Sequence, residues 1–220
     1  MRVWILLLPF LTLAAAAAAQ NRNPDLALID AARSGDAAQA DALLRAGANP
    51  KVRGADSVTA LIAAAYGGHN GIARLLVAAG AEIDAEDRTP QGALMIACVR
   101  GNVELVRLLV KAGANVDASN QFGGNCIIPA AERGHVEVVR EMLATTKINV
   151  NHVNRLGWTA LLEAIILSDG GPRHVEIVRL LLAHGADANL ADKDGVTPLA
   201  HARRRGYRAI KALLVASGAK

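Results

Sequence analysis

Six histidines and two cysteines are the residues of this 220-residue chain best suited to metal binding or catalysis. Imidazole and thiolate are the common zinc ligands, and imidazole titrates near neutrality. Their spacing speaks against both uses. His69, His135 and His174 occupy one position of a recurring pattern. Equivalent residues of successive helical units lie roughly 10 Å apart, too far to share an ion. His152, His184 and His201 have no histidine or cysteine at ligand spacing. No nucleophile motif, phosphate loop or carboxylate pair appears, so the expectation is a protein that is not an enzyme and holds no cofactor and no metal.

The elements that carry these residues come from repetition. Gly101 to Asp117 reads Gly-Asn-Val-Glu-Leu-Val-Arg-Leu-Leu-Val-Lys-Ala-Gly-Ala-Asn-Val-Asp. Val103, Leu105, Val106, Leu108, Leu109 and Val110 form an apolar helical stripe, with Gly101 read as its opening and Gly113 as its close. Equivalents of Asn102 are Asp36, His69, His135, His174 and Tyr207, at spacings of 33, 33, 33, 39 and 33 residues. A period in this range predicts a solenoid, in which each unit buries its stripe on its neighbours.

Met1 to Ala19 stands apart from the repeats. One charge at Arg2, an apolar run from Val3 to Leu13 and small residues to Ala19 describe a secretory signal cut between Ala19 and Gln20. An uncleaved anchor is the competing reading, although the apolar run is short for a span of about 20 residues. The expected location is the periplasm or the exterior, with no stable membrane insertion after cleavage. Removing Arg2 lowers the formal net charge from +4 to +3. That excess is small and interspersed with acids, and with the export address it predicts no nucleic-acid partner. Arg203-Arg204-Arg205, the densest basic run, reads as a solvated cap.

Two cysteines in an oxidising compartment invite a disulfide. The repeat register predicts otherwise. Cys98 aligns with Ala32, Ala65 and Ala131, and Cys126 lies five positions earlier in its own copy, aligned with Ala60 and Pro198. A rise of about 7.5 Å added to roughly 10 Å between helices exceeds the ~7 Å bridging limit. Both are expected as small, unbridged apolar residues.

Gly-Val-Thr-Pro-Leu-Ala-His-Ala at 195–202, Gly-His at 68–69 and 134–135, and Leu-Leu-Ala-His-Gly-Ala-Asp-Ala-Asn at 181–189 together resemble ankyrin repeats. The resemblance covers residues 25–220, with a polar lead-in at 20–24 and repeats at about 25–53, 54–86, 87–119, 120–153, 154–191 and 192–220. It implies an all-α solenoid of about six helix-turn-helix units, with turns projecting along a concave face and histidines bonding locally. Thr159 and Thr197 suit helix caps, Pro198 suits a first turn, and Asp25 is expected to cap the first helix. Departures stand out. Gly92 replaces the capping threonine in the third copy, and Pro129 falls inside the fourth copy's first helix, costing about 3 kcal/mol unless that helix starts late. One extra residue lies within Thr145–Asn151 and about five within Ser168–Pro172.

Ankyrin arrays use turn residues and the end of each first helix for contact. Here the resemblance points to Tyr66, Arg88, Arg100, Gln121, Phe122, Arg133, Arg155, Leu156 and Trp158 as partner-binding residues, with Arg33, Glu132, Arg204 and Arg205 at equivalent positions. Three of the four aromatics beyond residue 19 fall in this set, and aromatics with arginine dominate binding hot spots. The expectation is a monomer that binds another protein with an acidic surface, centred on Phe122, Trp158 and the Ser168–Pro172 loop. An accessory of a periplasmic redox or haem enzyme, or a toxin-neutralising inhibitor, are the alternatives.

Overall fold

The computed structural model describes residues 23–220, so the signal-segment readings lie outside the described residues. Twelve α-helices are present among them, in six antiparallel pairs: α1 Pro24–Ser34 and α2 Ala37–Arg45; α3 Ala60–Gly67 and α4 Asn70–Ala78; α5 Ala93–Arg100 and α6 Val103–Lys111; α7 Ile127–Glu132 and α8 Val136–Thr145; α9 Ala160–Ile166 and α10 Pro172–Ala183; α11 Pro198–Arg204 and α12 Arg208–Ala216. First helices pack on first helices and second on second, giving the expected two-layered all-α solenoid. The core follows this stacking. Alanines such as Ala64, Ala97, Ala131 and Ala164 are fully buried where helices approach closest, and Leu76, Leu109, Met142 and Leu181 fill the space between layers.

Helix starts follow local chemistry. Thr59, Thr159 and Thr197 accept the N–H groups of Ile62, Leu162 and Ala200 at 3.3, 3.2 and 3.3 Å. Gly92 and Cys126 supply no side-chain cap. Pro129 is the third residue of α7, where a backbone N–H would have no intrahelical acceptor, so the interior penalty does not apply. Two boundary readings change. Asn23, not Asp25, caps α1, because Pro24 leads that helix, and Asp25 instead accepts the N–H of Asn49 at 2.7 Å. Gly101 closes α5 at φ 73° and does not open α6, whose cap is Asn102, bonded to Leu105 N at 3.1 Å.

The cysteine expectation is overturned. Cys98 and Cys126 form a disulfide with a Cα–Cα distance of 5.7 Å. The error lay in adding helical rise to the full distance between axes. Cα atoms sit about 2.3 Å off each axis, and small residues allow axes as close as about 8 Å. Facing positions therefore start only a few ångström apart. Cys126 also precedes α7, where the chain is free to lean toward α5.

Candidate partner-binding face

The turn tips are built by a device that recurs four times. Asp87, Asn120, Asn154 and Asp192 each accept two backbone N–H groups, from the residues two and four positions onward. The partners are Thr89 and Gln91, Phe122 and Gly124, Leu156 and Trp158, and Asp194 and Val196, at 2.8–3.2 Å. Successive tips are then tied backbone to backbone, Arg88 N to Asp56 O and Arg155 N to Phe122 O, each at 2.8 Å. The face is thus preorganised.

The remaining polar atom of each turn residue reaches a side chain. Asp87 Oδ2 accepts from the Tyr66 hydroxyl at 2.8 Å, and Asp192 Oδ2 lies 2.7 Å from His201 Nε2. His201 thus has an acidic partner nine residues earlier. Burial, followed by the bond to the Asp87 carboxylate, pushes the Tyr66 hydroxyl up to about 12. In the fifth repeat the pair is inverted, with Asn154 Nδ2 donating to Glu163 Oε1 at 2.7 Å. Glu163 is only 5% exposed. Burial first, and then the neighbouring Glu132 charge, raise its carboxyl to about 7, against the opposing pull of Asn154.

Two histidines of the recurring repeat position bond within the scaffold. His135 Nε2 lies 3.0 Å from Val99 O, and His174 Nε2 lies 3.0 Å from Glu132 O. A carbonyl only accepts, so each ring donates to the helix end of the preceding repeat. Tyr207, their equivalent in the last repeat, donates to Ser168 O at 2.6 Å and pins the inserted loop. No group of three or more histidine, cysteine or acidic side chains positioned to hold a metal occurs among the described residues.

Of the sequence-predicted contact residues, Tyr66, Arg88, Arg100, Gln121, Phe122, Arg133, Arg155 and Leu156 are exposed, while Trp158 is half-buried. Several arginines are engaged locally. Arg88 pairs with Asp56 at 3.2 Å, Arg155 donates to Gln121 O at 2.9 Å, and Arg100 lies 6.0 Å from the centre of the Tyr66 ring. Exposed pairs of this kind contribute about 0–1 kcal/mol, so they yield readily to a partner. Phe122 and Leu156 meet at the rim of a cavity of about 200 Å³ between the fourth and fifth repeats. Exposed Leu167 completes the rim, with Glu132 and Glu163 among the lining. Glu163 and Leu167 were missed from sequence. The available signal was a charged residue at a register position that holds Ala63, Ile96 and Pro129 in the three preceding repeats.

The model of the family described as ankyrin repeats (3 copies) matches residues 28–120, 94–190 and 130–220. The chain is 45% identical to an ankyrin repeat domain from Acinetobacter baumannii AYE, covering 88% of this chain and 98% of that one with a TM-score of 0.85. It is 28% identical to the human ASB11 ankyrin repeat domain over 88% of this chain and 84% of that one, with a TM-score of 0.74. Similarity to the Escherichia coli (strain K12) ankyrin repeat protein YahD reaches 58% identity over 79 residues, 36% of this chain and 39% of that protein. Arrays of this type are generally protein-binding modules and typically lack catalysis. Repeat spacing, stacked helix pairs, family match and structural likeness agree: the chain belongs to the ankyrin repeat family.

Proposed function

We propose that this chain is an exported, monomeric, non-catalytic module that captures another protein through the turn tips and first-helix ends of its fourth and fifth repeats. The observation that carries this reading is the cluster of Phe122, Leu156 and Leu167, 55%, 51% and 49% exposed, around one cavity on a preorganised face. Rigid apolar anchors at a cavity mouth are what a partner desolvates with the greatest gain. Export is supported by the Cys98–Cys126 disulfide, a bond that persists in oxidising compartments. It is further supported by the amino-terminal charge and hydropathy pattern. The exposed arginines flanking the cavity favour a partner with acids beside its contact centre.

The test is capture from periplasmic extract by the wild-type chain, by Phe122→Ala/Leu156→Ala, and by Val215→Ala. Val215 is equally exposed but lies on the last helix. A partner held by wild type and Val215→Ala but lost by the double variant supports this face. Equal retention by all three would refute it. Charge reversal at Arg100, Arg133 and Arg155 is expected to weaken capture, and unchanged affinity would remove the acidic-surface element.

A further inference from the structure

Three glutamates of the second helices are paired from repeat to repeat. Glu104, Glu141 and Glu176 each meet an arginine of the preceding repeat, Arg74, Arg107 and Arg140, at 2.7, 2.7 and 2.9 Å. Glu132 and Glu163, on the first helices α7 and α9, have no such arginine. Both line the cavity between repeats four and five, and neither has an ion-pair partner among the described residues. Glu163 is 95% buried by its 5% exposure, and only Oε1 is used, by Asn154. Among the described residues, Asn125 Oδ1 is the one sealed side-chain polar atom without a hydrogen bond. Glu163 Oε2 is therefore unpartnered but not sealed, and its opening is the cavity it lines.

We infer that this cavity is a receptor for one arginine side chain of the partner protein, its guanidinium held by Glu163 and Glu132 and its aliphatic stem by the apolar rim. This rests on the proposed binding face and names the chemistry that face recognises. A buried carboxylate beside a second one is an expensive arrangement that a cation relieves. A guanidinium suits it better than an ammonium. Its planar fork offers parallel donors to two neighbouring carboxylates, and its flat face stacks on an aromatic such as Phe122. Asn154 fits the same logic: the equivalent position holds aspartate in the third and last repeats, whereas here an amide leaves Glu163 free to bear charge without a third acid beside it. Arg155 leaves the cavity open, since its guanidinium is turned to Gln121 O, and no basic side chain is among the lining. With Arg133 and Arg155 outside and two carboxylates inside, the complementary epitope is an arginine bordered by acidic residues.

The experiment is selection of random linear peptides by the purified full chain. Binding of a selected peptide and of its arginine-to-citrulline counterpart is then titrated by calorimetry. Citrulline keeps the shape and removes the charge. Selected peptides should be enriched in one arginine flanked by acids, and citrulline should weaken wild-type binding about tenfold or more. Glu163→Gln, which keeps the acceptor for Asn154, should weaken the arginine peptide similarly and leave the citrulline peptide unchanged. Peptides that need Phe122 and Leu156 but show no basic enrichment, or a citrulline effect equal in wild type and Glu163→Gln, would overturn the arginine receptor and leave the binding face standing. No selected peptides, or peptides indifferent to Phe122→Ala/Leu156→Ala, would overturn both.

Discussion

A single buried carboxyl makes the sharpest residue-scale prediction. The Glu163 carboxyl is raised in the folded chain to about 7, from an ordinary 4.5. Between those values the folded state holds a proton that the unfolded state has released, so folding stability falls as pH rises through this window and levels above it. The effect is about 1–3 kcal/mol. Glu163→Gln removes the titration and keeps the bond to Asn154, so it should be more stable than wild type at pH 8 and nearly equal at pH 5. Urea unfolding at the two values measures this, and parallel pH profiles would refute it. His135 and His174 were legible because their repeat position imposes one role, and the structure gives each a carbonyl in the preceding repeat. Glu163 was not, because its role comes from a neighbour nine residues earlier and a cavity shared with the previous repeat.

At the scale of elements, the array compensates where its caps fail. The first helices of repeats three and four, α5 and α7, lack the threonine cap found at α3, α9 and α11, and α7 is the shortest of the twelve described helices. These are the two elements the disulfide joins. A bridge across a sequence separation of 28 residues contributes about 2–4 kcal/mol, so Cys98→Ala/Cys126→Ala should lose that amount in urea unfolding. Reductant should cost wild type the same and the double variant nothing. The inserted loop is pinned in a different way. Gly170 has φ 68° and faces the Tyr207 ring, while the Tyr207 hydroxyl holds Ser168 O. Tyr207→Phe should cost about 1 kcal/mol and speed hydrogen exchange across residues 168–172 without affecting the first four repeats. Repeat count and insertions were readable from the period, and the caps Thr159 and Thr197 from side-chain chemistry within the resembling pattern. The bridge was not, because alignment to alanine positions reports side-chain size and says nothing of how far neighbouring helices lean together.

The described residues form a one-dimensional stack, and among them the long-range ties run only between neighbours. Along one edge, Asn115, Asn149, Asp187 and Lys220 each donate a backbone N–H to a side chain of the preceding repeat at 2.8–3.1 Å. Across the second helices run the arginine–glutamate pairs. Stability in such a stack is a sum of local terms, so a covalent tie at its centre sets how far fraying from either end can spread. Compartment and fold are then coupled. A chain that reaches an oxidising space closes Cys98 to Cys126, whereas one retained in a reducing cytosol keeps both thiols and a weaker centre. The chain expressed in full should therefore be recovered with its mass reduced by residues 1–19 and with no thiol reactive to maleimide after denaturation. The chain begun at residue 20 and kept in the cytosol should carry two reactive thiols and lose hydrogen-exchange protection first in α5 and α7. Both thiols free in the full-length product would separate the disulfide from export, and equal protection of α5 and α7 in the two forms would remove the bridge as the element that holds the third and fourth repeats together.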